Sequence, residues 1–127
     1  MKSNTPVPTD LELEILKPIW ARGEATVREV YQDLLKQRKI AYTTVLTMMG
    51  VLERKGHLAK RAGERAYIYT PAAPQEEVVK NMVDEFVERV FNGSPQTLAV
   101  HLVGDRRIDP GQLAELEKLV KARRKDK

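Results

Sequence analysis

The chain has 127 residues, 42% of them hydrophobic, with no cysteine and a formal charge of +4. That length allows one large domain or two small ones, and the apolar share excludes a disordered chain, although so small a unit can need a partner subunit to bury enough surface. Disulfides, thiolate metal sites and cysteine nucleophiles are excluded. With no apolar run near the ~18 residues that span a bilayer and no signal-peptide core, a cytoplasmic protein without membrane insertion is expected.

Met1 to Pro8 reads as a short flexible arm. Thr9 with Glu12 three residues on is a capping-box signature, and Leu11, Ile15, Leu16 and Ile19 give a helical stripe through Trp20. Pro18 inside this stripe predicts a kink or an early end near Lys17. Gly23 closes the segment. Thr26 and Glu29 repeat the start signal, with Val27, Val30, Tyr31, Leu34 and Leu35 as the buried side.

The stretch from Ala41 to Pro71 is the most informative. Val45, Met49 and Leu52 recur at i, i+4, i+7, while Thr43, Thr47, Gly50 and Arg54 line another face that has no large apolar side chain. Gly56, after Arg54 and Lys55, ends the helix, since cations suit its last turn and glycine accepts a left-handed cap. Two β-prone runs follow, His57–Lys60 and Ala66–Tyr69, joined by a turn containing Gly63 and Glu64. Tyr67 and Tyr69 alternate with Ile68 and are expected to serve as packing and tethering groups. Between Lys36 and Arg65 there are 8 basic and 2 acidic residues, so the chain's excess cation sits on this helix and hairpin, where it could neutralise phosphates. Three helices followed by a basic hairpin is the winged helix-turn-helix order.

Pro71 and Pro74 mark a boundary, dividing the chain into a winged-helix DNA-binding domain, 1–73, and a helical dimerisation domain, 74–127. The second part predicts helices over Gln75 to Phe91, from Pro95 to about Val103, and from Pro110 onward to a frayed basic tail. Their apolar positions are Val79, Met82, Val83, Phe86 and Val90, then Leu98 and Leu102, then Leu113, Leu116 and Val120. These stripes either cap the N-terminal core or meet a symmetry mate. The second is preferred, because a two-fold DNA reader needs a second recognition helix about 34 Å away. The fold class is thus mainly α with a small β-hairpin wing.

Chemistry is hard to find. His57 and His101 lie far apart without metal-ligand spacing, Glu12 with Glu14 and Glu76 with Glu77 are helix-start acids, and no glycine-rich phosphate loop is present. No catalytic residue, metal or cofactor is expected. DNA contact is assigned instead to four groups of residues. Thr26 and Arg28 open the second helix and could hold a phosphate, or Thr26 simply caps. Tyr42, Thr43, Thr44 and Thr47 open the third helix, with Thr44 either reading bases or packing on the second helix. Leu46, if outward, meets a thymine methyl. Arg54, Lys60, Arg61 and Arg65 are placed for phosphates or an adjacent minor groove.

The runs Ala41-Tyr42-Thr43-Thr44-Val45, Leu52-Glu53-Arg54-Lys55-Gly56 and Tyr67-Ile68-Tyr69-Thr70-Pro71 together resemble the penicillinase-repressor family, the BlaI and MecI type. The resemblance implies a homodimeric repressor with an N-terminal winged helix and a C-terminal dimerisation region, bound to an inverted-repeat operator in double-stranded DNA. It also implies release through proteolysis by a sensor-activated protease. The family's cleavage position falls at His101-Leu102, where its best-known members carry Asn-Phe; those members also carry basic residues near Thr43 and Leu46. Two other readings stay open, a protein-interaction module whose threonine face meets another protein and a regulator gated by a small ligand.

Overall fold

In the computed structural model, which describes residues 6–126, Thr9 opens helix α1 (Asp10–Arg22). Its hydroxyl accepts the Glu12 N–H at 3.3 Å, and the Glu12 carboxylate accepts the Thr9 N–H at 3.0 Å. Of the kink or early end expected near Lys17 from Pro18, the early end does not occur, and the helix runs on to Arg22. Proline in a helix interior costs about 3 kcal/mol. Ile15, Leu16 and Ile19 around it are fully buried, at about 1.5–3 kcal/mol each, so burial wins. Gly23 then ends α1 at φ 86°, a left-handed conformation, with its N–H donating to the Ile19 carbonyl at 2.8 Å.

A second capping box, Thr26 with Glu29, opens α2 (Val27–Leu35). Val27, Val30 and Leu34 are buried, and Tyr31 packs at the core edge. Leu35, expected beside them, is exposed. It is the last residue of the helix and lies about 100° round the axis from Leu34, off the inner face. Helix α3 (Tyr42–Arg54) has Ala41 at its N-cap position and no side-chain cap, and it buries Val45, Met49 and Leu52 completely. Those side chains join Ile15, Leu16, Ile19, Val30 and Leu34 in one core.

Strands β1 (Leu58–Ala62) and β2 (Tyr67–Pro71) pair antiparallel, with Leu58 opposite Pro71, Lys60 opposite Tyr69 and Ala62 opposite Tyr67. The Gly63 N–H closes the turn on the Ala66 carbonyl at 3.0 Å. The hairpin is fastened to the helices by a bridge between Ala25 and Tyr69, through N–H···O bonds of 3.0 and 2.8 Å. This bridge separates the two tyrosines. Tyr69 is buried in the core, whereas Tyr67, expected to pack as well, lies further along the wing and is exposed.

Below the hairpin, Glu12 is almost fully buried and meets Lys55 Nζ at 2.9 Å through both carboxylate oxygens. Burial alone would push this carboxyl up. The hydrogen bond from Lys55, the Thr9 N–H, and the charges of Lys55 and His57 outweigh it and hold the group below its ordinary value. His57 is buried too, and its Nε2 donates to the Pro6 carbonyl at 2.6 Å. Of the arm expected at Met1–Pro8, residues 1–5 lie outside the described residues. The rest is not free: Pro8 is buried and Pro6 is held by His57.

The chain divides into two compact units, Met1–Glu85 and Phe86–Lys127. Helix α4 (Gln75–Phe91) runs from the first into the second and ends where Asn92 and Gly93 take positive φ. Two helices complete the second unit. Ser94 caps α5 (Pro95–Val103), and an Asp109–Gln112 capping box opens α6 (Pro110–Lys125). The basic tail expected to fray is helical as far as Lys125, where Arg123, Arg124 and Lys125 suit the negative end of the helix dipole.

Candidate nucleic-acid interface

The packing of α3 decides which of its residues are available. Because Val45, Met49 and Leu52 point inward, Tyr42, Thr43, Leu46, Thr47 and Arg54 are exposed, and Thr44 and Gly50 are half-buried. Thr44 therefore sits between its two expected roles. The Tyr42 ring meets Tyr31 edge-on with centroids 5.5 Å apart, which ties the start of α3 to α2. Leu46, at 46% exposure, faces solvent as an isolated apolar group among threonines.

Gly50 is the odd residue on this face. An added Cβ there would meet only Arg54 Nη1, in ordinary van der Waals contact at 3.6 Å. Glycine in a helix interior costs about 1 kcal/mol relative to alanine. The packing gives no reason to accept that cost, but a surface that another backbone must approach closely does.

The charged residues fall into two groups. Arg28, Arg54 and Arg65 are exposed and have no carboxylate partner among the described residues. Lys60 and Arg61 are already engaged, Lys60 with Glu53 at 3.5 Å and Arg61 with Glu24 at 3.2 Å. Neither glutamate was singled out from the sequence. The Glu53–Lys60 pair spans only seven residues around the Gly56 turn and was open to detection, whereas Arg61 and Glu24 are 37 apart and carry no local signal. Thr26 is also committed, because its hydroxyl accepts the Glu29 N–H at 3.2 Å and lies 3.3 Å from Glu29 Oε1. The start of α2 is braced by Arg22, which donates to Asp33 at 2.8 and 3.0 Å and to Glu29 at 3.2 Å. The hydrogen bond from Arg22 holds the Asp33 carboxyl below the usual carboxylate range.

The expected dimerisation residues are mostly open to solvent. Val79, Val83, Phe86 and Val90 on α4 are exposed, as are Leu102, Leu113, Leu116 and Val120 in the second unit; Met82 and Leu98 are half-buried. Within that unit α5 and α6 flank an apolar groove of about 370 Å³, lined by Leu102, Val103, Ile108, Leu116, Leu119 and Val120 among others. His101 and Leu102 are exposed inside α5, and the His101 ring lies 5.5 Å from that of Phe91. Among the described residues no group of His, Asp and Glu side chains could hold a metal ion, and no helix is long and apolar enough to cross a membrane.

Comparison with known proteins agrees with this geometry. The family model described as penicillinase repressor matches residues 8–122. The transcriptional regulator BlaI of Mycobacterium tuberculosis is 36% identical over 115 residues, spanning 85% of this chain and 83% of that one. The penicillinase repressor of Bacillus licheniformis is 25% identical over 115 residues, spanning 91% and 90%. Among solved structures, the B. licheniformis BlaI monomeric form in complex with the blaP half-operator superposes with a TM-score of 0.53 at 32% identity, covering 61% of this chain and 93% of that one. With a family model matched over nearly its whole length and a relative 36% identical, the chain belongs to the penicillinase repressor family of transcriptional repressors, and is no enzyme.

Proposed function

We propose that the protein is a cytoplasmic homodimeric repressor whose winged helix, 1–73, docks α3 in the major groove of an inverted-repeat operator, with residues 74–127 holding two copies together. The observation that carries this reading is the outer face of α3, where Thr43, Thr47 and Arg54 are exposed around Gly50 and Arg54 has no carboxylate partner among the described residues. Thr43 and Thr47, with Tyr42, Thr44 and Leu46 beside them, would touch base edges and thymine methyls. Arg28, Arg54 and Arg65 would meet phosphates and position the domain. Two copies are favoured because the apolar stripe of α4 and the α5–α6 groove leave more large apolar side chains in water than a small soluble unit ordinarily does. The relative bound to a half-operator supports one domain per half-site. Proteolytic release at His101-Leu102 would require α5 to open locally, which is cheap for a helix that buries no residue of its own.

Footprinting on the promoter of the protein's own gene tests the reading, with two protected half-sites about one helical turn apart as the expected result. Thr47→Ala is expected to relax selectivity at particular base pairs by about 1–3 kcal/mol while leaving the salt dependence unchanged. Gly50→Ala is expected to act in opposite directions on folding and binding. Thermal unfolding should report a gain of about 0.5–1 kcal/mol from helix propensity, while duplex affinity falls because the methyl stands on the groove face. A variant that is both more stable and equally tight on DNA would remove Gly50 from the interface.

A further inference from the structure

We propose that Glu53 and Glu24 compete with DNA for two of the wing's cations, and so set how much the wing adds to sequence-independent binding. The proposal rests on the DNA-binding reading of the winged helix. Lys60 is held from two sides: its Nζ lies 3.5 Å from Glu53 Oε1 and 4.5 Å from the centroid of the Tyr67 ring. Lys60 pairs with Tyr69 across the hairpin, so Tyr67, two residues along β2, is its diagonal neighbour on the same face. This explains why an exposed tyrosine stands there. Its ring is the floor under a lysine whose ceiling is the last turn of α3.

Arg61 Nη2 lies 3.2 and 3.3 Å from the two Glu24 oxygens. Glu24 is not free to drift away, because the next residue, Ala25, is bonded to Tyr69 on both its N–H and its carbonyl. To meet a phosphate, either cation must leave its carboxylate, or the phosphate must approach a like charge. Both effects subtract from binding. Exposed ion pairs are weak, so the expected change is a few-fold in affinity rather than orders of magnitude. Each cation released to a phosphate should add about one unit to the slope of log affinity against log salt. Base contacts from α3 are untouched, so the masks act on the sequence-independent part of binding, which operator and random duplexes share.

The test is a salt titration of the full-length chain on a fluorescently labelled random-sequence duplex. Glu53→Gln is expected to bind about three-fold tighter with a steeper slope. Lys60→Ala alone bares the Glu53 carboxylate and should bind somewhat more weakly than the parent, and the gain from Glu53→Gln should be clearly smaller in the Lys60→Ala background than in the parent chain. Glu24→Gln with Arg61→Ala should repeat the pattern. Arg65→Ala, which has no mask to release, should weaken binding and flatten the slope. If the Glu53→Gln gain is as large without Lys60 as with it, the masking is refuted while DNA binding stands. If the unsubstituted chain does not bind the duplex at low salt, the DNA-binding reading falls, and the masking with it.

Discussion

Val120→Asp is expected to convert the protein to a monomer and to weaken its hold on a two-half-site duplex by about 100-fold or more, with the winged helix unaltered. Val120 is 56% exposed in the single chain and lines the groove between α5 and α6. An aspartate there costs the isolated chain little, because surface substitutions usually change stability by no more than about 0.5 kcal/mol. Buried against a second copy it would be an unpaired carboxylate, and a two-fold interface would carry it twice. Loss of the dimer removes the effective concentration that converts the second half-site contact into an intramolecular event. Sedimentation equilibrium reads the mass, and a gel shift on whole and half sites reads the affinities. A dimeric mass with unchanged operator affinity would place the interface elsewhere.

The second large effect is on folding. Lys55→Met is expected to cost about 3 kcal/mol near neutral pH, because it strands the Glu12 carboxylate in the core; removing one partner of a buried pair ordinarily costs about 3–5 kcal/mol, and Lys55 itself retains some contact with solvent. The penalty should depend on pH in a defined direction. In the parent chain the folded-state value of Glu12 is depressed. Its pairing therefore contributes stability above the ordinary glutamate range, and that contribution is lost as pH falls through the lower folded value. Without Lys55 only the Thr9 N–H and the charge of His57 oppose burial, so the group rises relative to the parent and the variant gains relative stability as the carboxyl is protonated. The gap between parent and variant should therefore be widest at pH 7 and close as pH drops below about 4. Urea midpoints at several pH values measure it, and a gap that stays constant over that range would show that the charge of Glu12 is not its source.

The same pair illustrates what can and cannot be read from a sequence. The role of Glu12 as the third residue of a capping box is legible from Thr9 alone, because the reciprocal bonds span three residues. Its partnership with Lys55 spans 43 residues and exists only because α1 and the end of α3 enclose it together. Arg54, Lys60, Arg61 and Arg65 look alike as members of a basic run. The fold sorts them into free and masked cations by where it places Glu53 and Glu24.

The features legible in the amino-acid sequence are local and periodic. The starts of α1, α2, α5 and α6 follow from cap residues, the inner face of α3 from the spacing of Val45, Met49 and Leu52, and the family from three short runs. Packing across the fold, by contrast, settles that α1 survives Pro18, that Leu35 and Tyr67 stay in water while Tyr69 is buried, and that Pro6 is held by His57. The physical reason is the same in each case. Caps and stripes are energies between residues three or four apart, fixed by helix geometry, whereas the burial of a given side chain depends on the neighbours that the whole chain brings around it.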